Sequence, residues 1–583
     1  MSQALHRSLL VSTLSGVTAM LTTQAAFAQL QFQDQTLGDF DRFPAQTEYT
    51  SYCSFGDLDG DTDLDIVFAN GAGFNCPVTP QVLRIYINDG AGYFTDESVA
   101  RTGGLTFRGR GVELGDIERD GDLDIIVAQD CVQKAALLVN DGLGFFTNDS
   151  ATRIPNVNMS SSRGQFGDLD NDGDLDLFFC NGGTSRFGTG PNKVFLNDGL
   201  GFYTDYSATA MAGIASVGEP MDAILGDIDG DFDLDANVGA RGGLSRLYTN
   251  DGSSVFTQVT FPADGATYSY DFGDINGDGD LDLLGANAGA NNAEQLLGNN
   301  GAGVYSVLAF PALGVDDNDS KFFDYDNDND LDLIVCRIGG PERIYTNNGT
   351  GTFVLATGLI TSVTDSSLDV KVADLTGDGR LDIVTAQGES GGFQDRIYVN
   401  ISTSDTTIDN REPKIINTEQ VVVSEAAGPY AVRVVIYDDH TSDRGFHDKG
   451  VYLNYSVDGG PESQVQMDWS GNALWRGVIP EIECGEVAYY VTATDFNNNT
   501  ATGPTLTYSA GPCTPVECDA DISPPGKGDG EVGAADLGEL LANWGACGDP
   551  KNCPADIAPA DTGDDVVDAA DLGELLANWG QCE

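Results

Sequence analysis

Aspartates stand at every second position of a nine-residue stretch that occurs seven times, beginning at Asp57, Asp116, Asp168, Asp227, Asp274, Asp324 and Asp374. The third copy, Asp168-Leu-Asp170-Asn-Asp172-Gly-Asp174-Leu-Asp176, is the cleanest. Carboxylates at this spacing, with Gly or Asn mostly at the bends, wrap oxygen ligands round one hard cation. Calcium suits them best, because it accepts many carboxylate and carbonyl oxygens in flexible geometry. The ladders hold about a third of the 91 acidic residues, against 28 basic ones and a formal net charge of −63. Without cations such loops repel themselves. The charge excludes nucleic acid and anionic membranes as partners, since phosphate contact needs a basic face. Regular apolar runs argue against the disorder that high acidity can otherwise signify.

Other chemistry is sparse. Residues 29–405 contain no histidine, which removes the commonest general base. No Gly-x-Ser-x-Gly elbow, phosphate loop or His-Glu-x-x-His is present. Cys180 and Cys336 sit at equivalent places in apolar strands and read as buried, inert thiols. Cys53 and Cys76 flank the first ladder and are a candidate disulfide, which the sequence leaves open. The few lysines of this region, Lys134, Lys193, Lys321 and Lys371, form no evident cluster with a base.

The elements that position the ladders repeat with them. Each ladder runs into a short apolar strand, such as Leu64–Ala69 or Leu331–Cys336. About 20 residues later comes a hairpin, Asn88-Asp-Gly in the first copy, recurring at Asn140, Asn197, Asn250, Asn299 and Asn347. The expected role of Asn and Gly is to accept the positive φ of the turn. An aromatic strand follows six hairpins, marked by Phe94, Phe146, Tyr203, Phe256, Tyr305 and Phe353. A period of roughly 50 residues with four short strands per unit fits a propeller blade. After Asn400 the aromatic strand is missing, and Leu30–Thr36 resembles the missing piece. It is expected to complete a seventh blade and remove the open edges.

Ladder and hairpin together resemble the FG-GAP or VCBS repeats of integrin α-chain-like propellers; Phe55-Gly-Asp57, Phe166-Gly-Asp168 and Phe272-Gly-Asp274 keep that family's entry. The resemblance implies side-chain ligands from ladder positions 1, 3, 5 and 9 and a carbonyl from position 7. Carried over, the calcium ligands are Asp57, Asp59, Asp61 and Asp65; Asp116, Glu118, Asp120 and Asp124; Asp168, Asp170, Asp172 and Asp176; Asp227, Asp229, Asp231 and Asp235; Asp274, Asn276, Asp278 and Asp282; Asp324, Asp326, Asp328 and Asp332; Asp374, Asp378 and Asp382. Thr376 departs from the pattern at the third position of the last loop, and Arg380 stands at its seventh, so this loop is expected to bind most weakly. Phe232 replaces a small bend residue. In this reading calcium staples the blades and does no chemistry.

The expected order is a signal peptide over 1–28, a seven-bladed calcium-binding β-propeller over 29–405, an immunoglobulin- or fibronectin-like β-sandwich over 406–512, and a small α-helical duplicated loop-helix module over 513–583. The signal rests on His6-Arg7, the apolar stretch Leu9–Leu21 and Ala26-Phe27-Ala28, with cleavage after Ala28 and a secreted or surface location. No transmembrane segment is expected. In the sandwich, strands are expected at Val421–Val423, Val432–Tyr437, Val451–Tyr455 and Val487–Ala493. His440 and His447 lie in a polar loop there, Asp438–Asp443, that reads as solvated.

In the tail, Ala534–Gly545 recurs almost letter for letter from Ala569 to Gly580. Leu537, Leu540, Leu541 and Trp544 fall on one helical face, copied by Leu572, Leu575, Leu576 and Trp579. The tail resembles a divergent GC-type dockerin, the module that plugs into cohesins. The resemblance implies calcium ligands Asp521, Asp529, Asp536, Asp556, Asp564 and Asp571. Cys518 and Cys547 are 29 apart, as are Cys553 and Cys582, and this symmetry suggests one disulfide closing each copy. The loops run about four residues longer than the family's twelve, and Asp565 replaces the bend glycine found at Gly530. Ala534-Ala535 and Ala569-Ala570 carry no hydroxyl at the recognition positions, so specificity should differ from that of cellulosomal pairs.

The function expected is a non-enzymatic binding or adhesion scaffold. A protein or polysaccharide ligand would sit on the propeller, and a cohesin-like or other surface protein on the tail. Candidate contact loops are Gly71–Gln81 and Gly182–Asn192, with Phe74, Arg186 and Phe187. The alternative is a calcium-dependent polysaccharide lyase, which would need a Lys/Arg/Tyr cluster on one face of the ring.

Overall fold

The computed structural model describes residues 30–71, 73, 79–182, 189–287, 293–311, 313–388, 391–422, 428–439, 446–511, 522, 531–546, 555, 566–577 and 579–581. Between Phe32 and Asn400 the strands make seven four-stranded antiparallel sheets, the sixth and seventh joined by a short pairing of Ile338 with Ser366. Their inner strands are Thr50–Gly56, Gly109–Gly115, Ser161–Gly167, Pro220–Gly226, Thr267–Gly273, Asp317–Phe323 and Asp365–Ala373. Each lies against the next, and the seventh lies against the first. The second strand of each sheet, such as Asp65–Asn70, is buried over at least its first five residues. Sheets cover it on both sides, which is why it reads as a continuous apolar run rather than an alternating one.

The glycine that closes an inner strand makes room for the next sheet. A Cβ on Gly115 would come 2.7 Å from Phe166, and one on Gly273 2.7 Å from Phe322. Phe and Gly of the Phe-Gly-Asp entry are therefore two halves of one contact, made across neighbouring sheets.

The N-terminal strand Phe32–Asp34 pairs with Arg396–Asn400, Phe32 opposite Asn400, and so completes the seventh sheet. Phe32 is fully buried, with Phe323 and Tyr325 at ring-centroid distances of 6.1 and 6.2 Å. Three short helices, Ser98–Thr102, Ser150–Arg153 and Ser207–Ala210, were not anticipated. Each begins two residues after an Asp or Asn whose side chain accepts the serine amide: Asp96, Asn148 and Asp205. That Asp/Asn-x-Ser spacing is the signal in the sequence.

Lys414–Ala510 folds as two facing sheets. One runs Lys414–Thr418, Tyr430–Tyr437, Leu474–Ile479, Asp468–Gly471; the other is built on Phe446–Val457 and Gly485–Asp495. Val434, Ile436, Leu453, Trp475, Tyr489 and Val491 form its core. No strand forms at Val421–Val422: Val421 packs inward while Val422 stands 87% exposed. The edge strand comes earlier, at Lys414–Thr418, because that segment is the one in register with Tyr430–Tyr437.

In the tail, helices Ala534–Ala542 and Ala569–Ala577 pack together, flanked by two short strand pairs that exchange between the copies. The expected four-residue apolar stripe is only half buried. Leu540 and Leu575 are fully enclosed, whereas Leu541, Trp544, Leu576 and Trp579 are about half exposed. The first helix ends at Ala542 and the second at Ala577, before either tryptophan, so neither ring follows its stripe into the core. Among the described residues no helix is long and apolar enough to cross a membrane.

Closure by Phe32 makes a test. Phe32→Ala should lower the stability of the ring by about 3–5 kcal/mol, read as an earlier urea midpoint; an unmoved midpoint would show that the N-terminal strand does not hold the seventh sheet.

Candidate metal centres and the axis of the ring

All seven ladders follow the inner strands and turn on one face of the ring. Their first aspartate caps the turn: Asp57 accepts the amides of Gly60 at 2.8 Å and Thr62 at 2.9 Å, and Asp227 those of Gly230 and Phe232 at 2.8 and 3.0 Å. The fifth-position acid accepts the seventh-position amide, as Asp61 does from Asp63 at 3.1 Å and Asp172 from Asp174 at 2.9 Å. The seventh side chain faces the hairpin instead. A Cβ on Gly90 would lie 2.5 Å from Asp63, and one on Gly199 2.7 Å from Asp174.

Among the described residues, four groups of carboxylates converge closely enough to hold a metal ion: Asp57, Asp59 and Asp61; Asp168, Asp170 and Asp176; Asp227, Asp229 and Asp235; Asp324, Asp326 and Asp332. Carboxylate oxygens of Asp59, Asp168, Asp170, Asp229, Asp326 and Asp332 are buried with no hydrogen-bond partner in the protein. A hard cation fits such a donor set. In the second ladder Glu118 pairs with Arg153 at 3.3 Å. In the seventh, Asp378 pairs with Arg380 at 3.2 Å, a competitor within the loop itself. The fifth has Asn276 in place of an acid. Its third-position amide oxygen accepts from the Asp278 backbone at 2.9 Å.

The ninth-position aspartate does more than face a cation. Asp65 accepts the Leu58 amide at 3.0 Å and the Asn88 amide at 2.9 Å, tying ladder to hairpin. Hairpin amides donate in the same way to Asp124, Asp176, Asp235, Asp282, Asp332 and Asp382. Burial pushes these carboxyls up, to about 7 at Asp65, about 8 at Asp124 and about 9 at Asp235 and Asp332. A bound cation would favour the charged form there.

The hairpin asparagines have a different role from the one expected. None takes a positive φ; Gly90, Gly92 and their equivalents do. Each asparagine instead sends its side-chain amide to the second-position carbonyl of the preceding ladder. Asn140 reaches Leu58 at 2.9 Å, Asn197 reaches Ile117 at 2.9 Å, Asn250 reaches Leu169 at 2.8 Å, and Asn88 reaches Leu375 at 3.0 Å. Asn299 and Asn347 continue the series. Asn400 alone leaves its side-chain nitrogen without a partner, and Gln31 of the closing strand takes the Tyr325 carbonyl at 3.0 Å.

The two-sheet unit sits on the ladder face. Ser470 accepts the Asp168 amide and Asp439 the Asp324 amide, both at 2.8 Å, and Gly379 accepts from Asp409 at 2.7 Å. The Arg433 guanidinium bonds Asn171, the Phe232 carbonyl and Asp233 at 2.8–2.9 Å, while Tyr437 donates to Gly279 at 3.0 Å. This accounts for Phe232: at φ 67° its ring lies 5.7 Å from the Arg433 guanidinium carbon. Asp438 and Asp439, expected in a solvated loop, are half-buried against the sixth ladder. His440 and the side chain of His447 lie outside the described residues, as does most of the two candidate contact loops, including Phe74, Arg186 and Phe187. A cavity of about 500 Å³ remains where the first, second and seventh ladders meet Trp469, Asn472 and Phe496.

On the ring axis, carboxylates bridge inner strands that splay too far apart to pair. Asp222 accepts the Tyr270 amide at 3.1 Å, Asp271 that of Phe322 at 2.7 Å, Asp319 that of Val370 at 3.0 Å and Asp369 that of Cys53 at 2.8 Å. Cations neutralise them, with Arg163 on Asp222 at 2.8 Å and Lys321 on Asp271 at 2.9 Å. Lys371 lies 5.0 Å from the Tyr52 ring and Arg163 4.4 Å from it. Tyr52, Arg163, Lys321 and Lys371 therefore do gather, although the sequence showed no cluster. Cys53 is a free, fully buried thiol facing Asp369 at 3.3 Å, not half of a disulfide with Cys76: its inner-strand side chain points to the axis. Cys180 and Cys336 are buried and free as expected, and burial pushes the Cys180 thiol up to about 12.

In the tail, Asp536 accepts the amides of Ile522 and Gly533 at 2.8 and 2.7 Å, and Asp571 that of Asp568 at 2.7 Å, holding each helix start. Asp521, Asp529, Asp556 and Asp564 lie outside the described residues, as do Cys518, Cys547, Cys553 and Cys582.

Two outcomes follow from this geometry. Chelating divalent cations should lower the melting temperature of the ring by several degrees, restored on adding the ion back; an unchanged melt would remove the cation from the ladders. Arg433→Ala should loosen the two-sheet unit by about 1–3 kcal/mol, seen as a larger radius of gyration in X-ray scattering with the ring's melt unaltered.

Residues 57–127, 120–179, 168–238, 227–285 and 324–385 match the FG-GAP-like repeat. Among solved structures the chain is similar to BBS1N in complex with ARL6DN, at 12% identity and a TM-score of 0.40, over 62% of this chain and 95% of that one. It is also similar to the extracellular domain of a putative hybrid two-component system from B. thetaiotaomicron, at 9% identity and a TM-score of 0.38, over 82% of this chain and 59% of that one. No curated protein matches significantly. Five matched segments laid on sheets that follow one another round a common axis identify the ring as a repeat β-propeller of FG-GAP-like units.

Proposed function

We propose that the protein is a secreted, calcium-stapled binding or adhesion scaffold. In this reading the seven sheets are the blades of one closed propeller, and the two-sheet unit is an immunoglobulin- or fibronectin-like spacer. The tail is a divergent dockerin-like module that docks the whole to a cohesin-like or other surface protein. Each ladder holds calcium through the ligands named above, the first, third, fourth and sixth most readily and the seventh least. The observation that carries the reading is how the acidic side chains are used. Ladder carboxylates cap turns, tie hairpins and converge on cation sites, and the axial ones are bonded to neighbouring strands and neutralised by Arg or Lys. That is the use of charge for rigidity, and it leaves a stiff platform whose free face can hold a protein or polysaccharide ligand.

The exposed Trp544 and Trp579, one on each tail copy, support docking, since aromatics at half exposure are favoured anchors.

A second reading, a calcium-dependent polysaccharide lyase, gains from the gathering of Tyr52, Arg163, Lys321 and Lys371, the residue types such a reaction needs. The two readings separate in one assay. Incubating the mature, calcium-loaded protein with a panel of polysaccharides should give retention without growth of unsaturated-uronide absorbance. Growth on any substrate, abolished by chelator, would make the protein a lyase.

A further inference from the structure

On the face opposite the ladders, the ring axis opens into a cavity of about 60 Å³ lined by residues from all seven inner strands, among them Tyr52, Arg163, Asp222, Ser269, Asn318 and Asp369. Five of its lining residues carry a buried polar atom with no hydrogen-bond partner in the protein: Tyr52 Oη, Arg163 Nε, Ser269 Oγ, Asn318 Oδ1 and Asp369 Oδ1. All five residues are more than nine-tenths buried. Leaving one such atom unpaired is costly, and five round a single small space describe a built site.

The chemistry of the occupant follows from the donors and acceptors. Arg163 Nε can only donate, Asn318 Oδ1 can only accept, and the two hydroxyls do either, as does the Asp369 carboxyl, which burial and Asp319 push toward its neutral form. A carboxylate could satisfy only the donors and would meet Asp222, Asp319 and Asp369. An ammonium could satisfy only the acceptors and would meet Arg163. A hydroxyl donates and accepts, and brings no charge into a space that already holds the Arg163–Asp222 ion pair. Size limits the number: a water-sized group takes about 30 Å³, so two hydroxyls fit and a sugar ring does not. The half-buried Met221, Leu368 and Ser162 at the rim offer an apolar and hydroxyl ledge on which a ring can rest.

We propose that the axial cavity opposite the ladders is a binding site for a neutral carbohydrate, which enters it with a pair of hydroxyls while its ring stays at the mouth. The proposal rests on the scaffold reading and names its ligand class and location. Arg163 is held for this by Asp222 at 2.8 Å and by the Tyr52 ring beneath it at 4.4 Å, so its Nε is fixed in direction before any ligand arrives.

The test is titration calorimetry of the full-length, calcium-loaded protein with neutral gluco-, xylo- and galacto-oligosaccharides, beside their uronate and amino-sugar counterparts. The Tyr52→Phe/Ser269→Ala double variant removes two oxygen atoms and no packing volume of consequence; circular dichroism and the melting temperature check that it folds. The expected result is binding of a neutral oligosaccharide that weakens about tenfold or more in the double variant. Neutral binding of undiminished strength in that variant overturns the axial site and leaves the scaffold reading standing. Binding confined to uronates or amino sugars overturns the ligand class. Retention of no glycan of any kind by the intact protein overturns the axial site together with the polysaccharide half of the scaffold reading.

Discussion

A buried carboxylate at the ninth position of each ladder is the point from which the ring is organised. It accepts one amide from the hairpin two strands on and, at Asp65, Asp124, Asp176, Asp235 and Asp382, one from its own ladder, so that three segments of a sheet meet there at a single side chain. The hairpin asparagine held there then reaches across to the carbonyl of the preceding ladder. Position within a sheet and position between sheets are thereby set by two adjacent hydrogen-bonded groups. Because the pair recurs with each repeat, a local rule becomes a closed ring. Where the chain ends break the rule, at Asn400, Gln31 from the other end of the chain supplies the missing bond.

The same economy explains why so acidic a protein can be compact. Carboxylates are placed where backbone amides cannot find strand partners: in the tight ladder turns, and on the axis, where inner strands diverge. Charge left over at the ladders converges on cation-sized groups, and charge on the axis is met by Arg163, Lys321 and Lys371. A buried ion pair adds little net stability by itself, since desolvation offsets the attraction. What the axial pairs supply is direction, fixing which strand follows which.

Much of this was legible in the sequence, because the repeat displays it seven times. The ladders, the apolar second strands, the hairpins and the closing strand at Phe32 follow from spacing and period alone. What escaped was anything carried by a side chain's second bond. Asparagine before Asp-Gly reads equally well as a turn former, and only the geometry shows its amide spanning to the next sheet. Lys321 and Lys371 lie 50 residues apart and look isolated; one repeat of separation is what places them side by side. Phe232 looked like a flaw in its loop until the two-sheet unit was in place to set Arg433 over it. The tail misled for the opposite reason: its stripe is perfect on paper, but each helix ends before its tryptophan.

The docking of the two-sheet unit on the ladder face bears on how the molecule can work. It touches the third to the sixth ladders through backbone carbonyls, Arg433 and Tyr437, and the Asp409 amide just before it reaches the seventh, so the loops whose carboxylates could hold cations are also the floor on which the second unit stands. Cation binding and the relative placement of the two units therefore draw on the same turns. A cation held by a ladder would act on the same turns that Ser470, Asp439 and Tyr437 contact. It is on the opposite face that the axis opens with its unpartnered polar atoms. Among the described residues the two-sheet unit meets the ring on the ladder face, so the axial opening lies away from that contact.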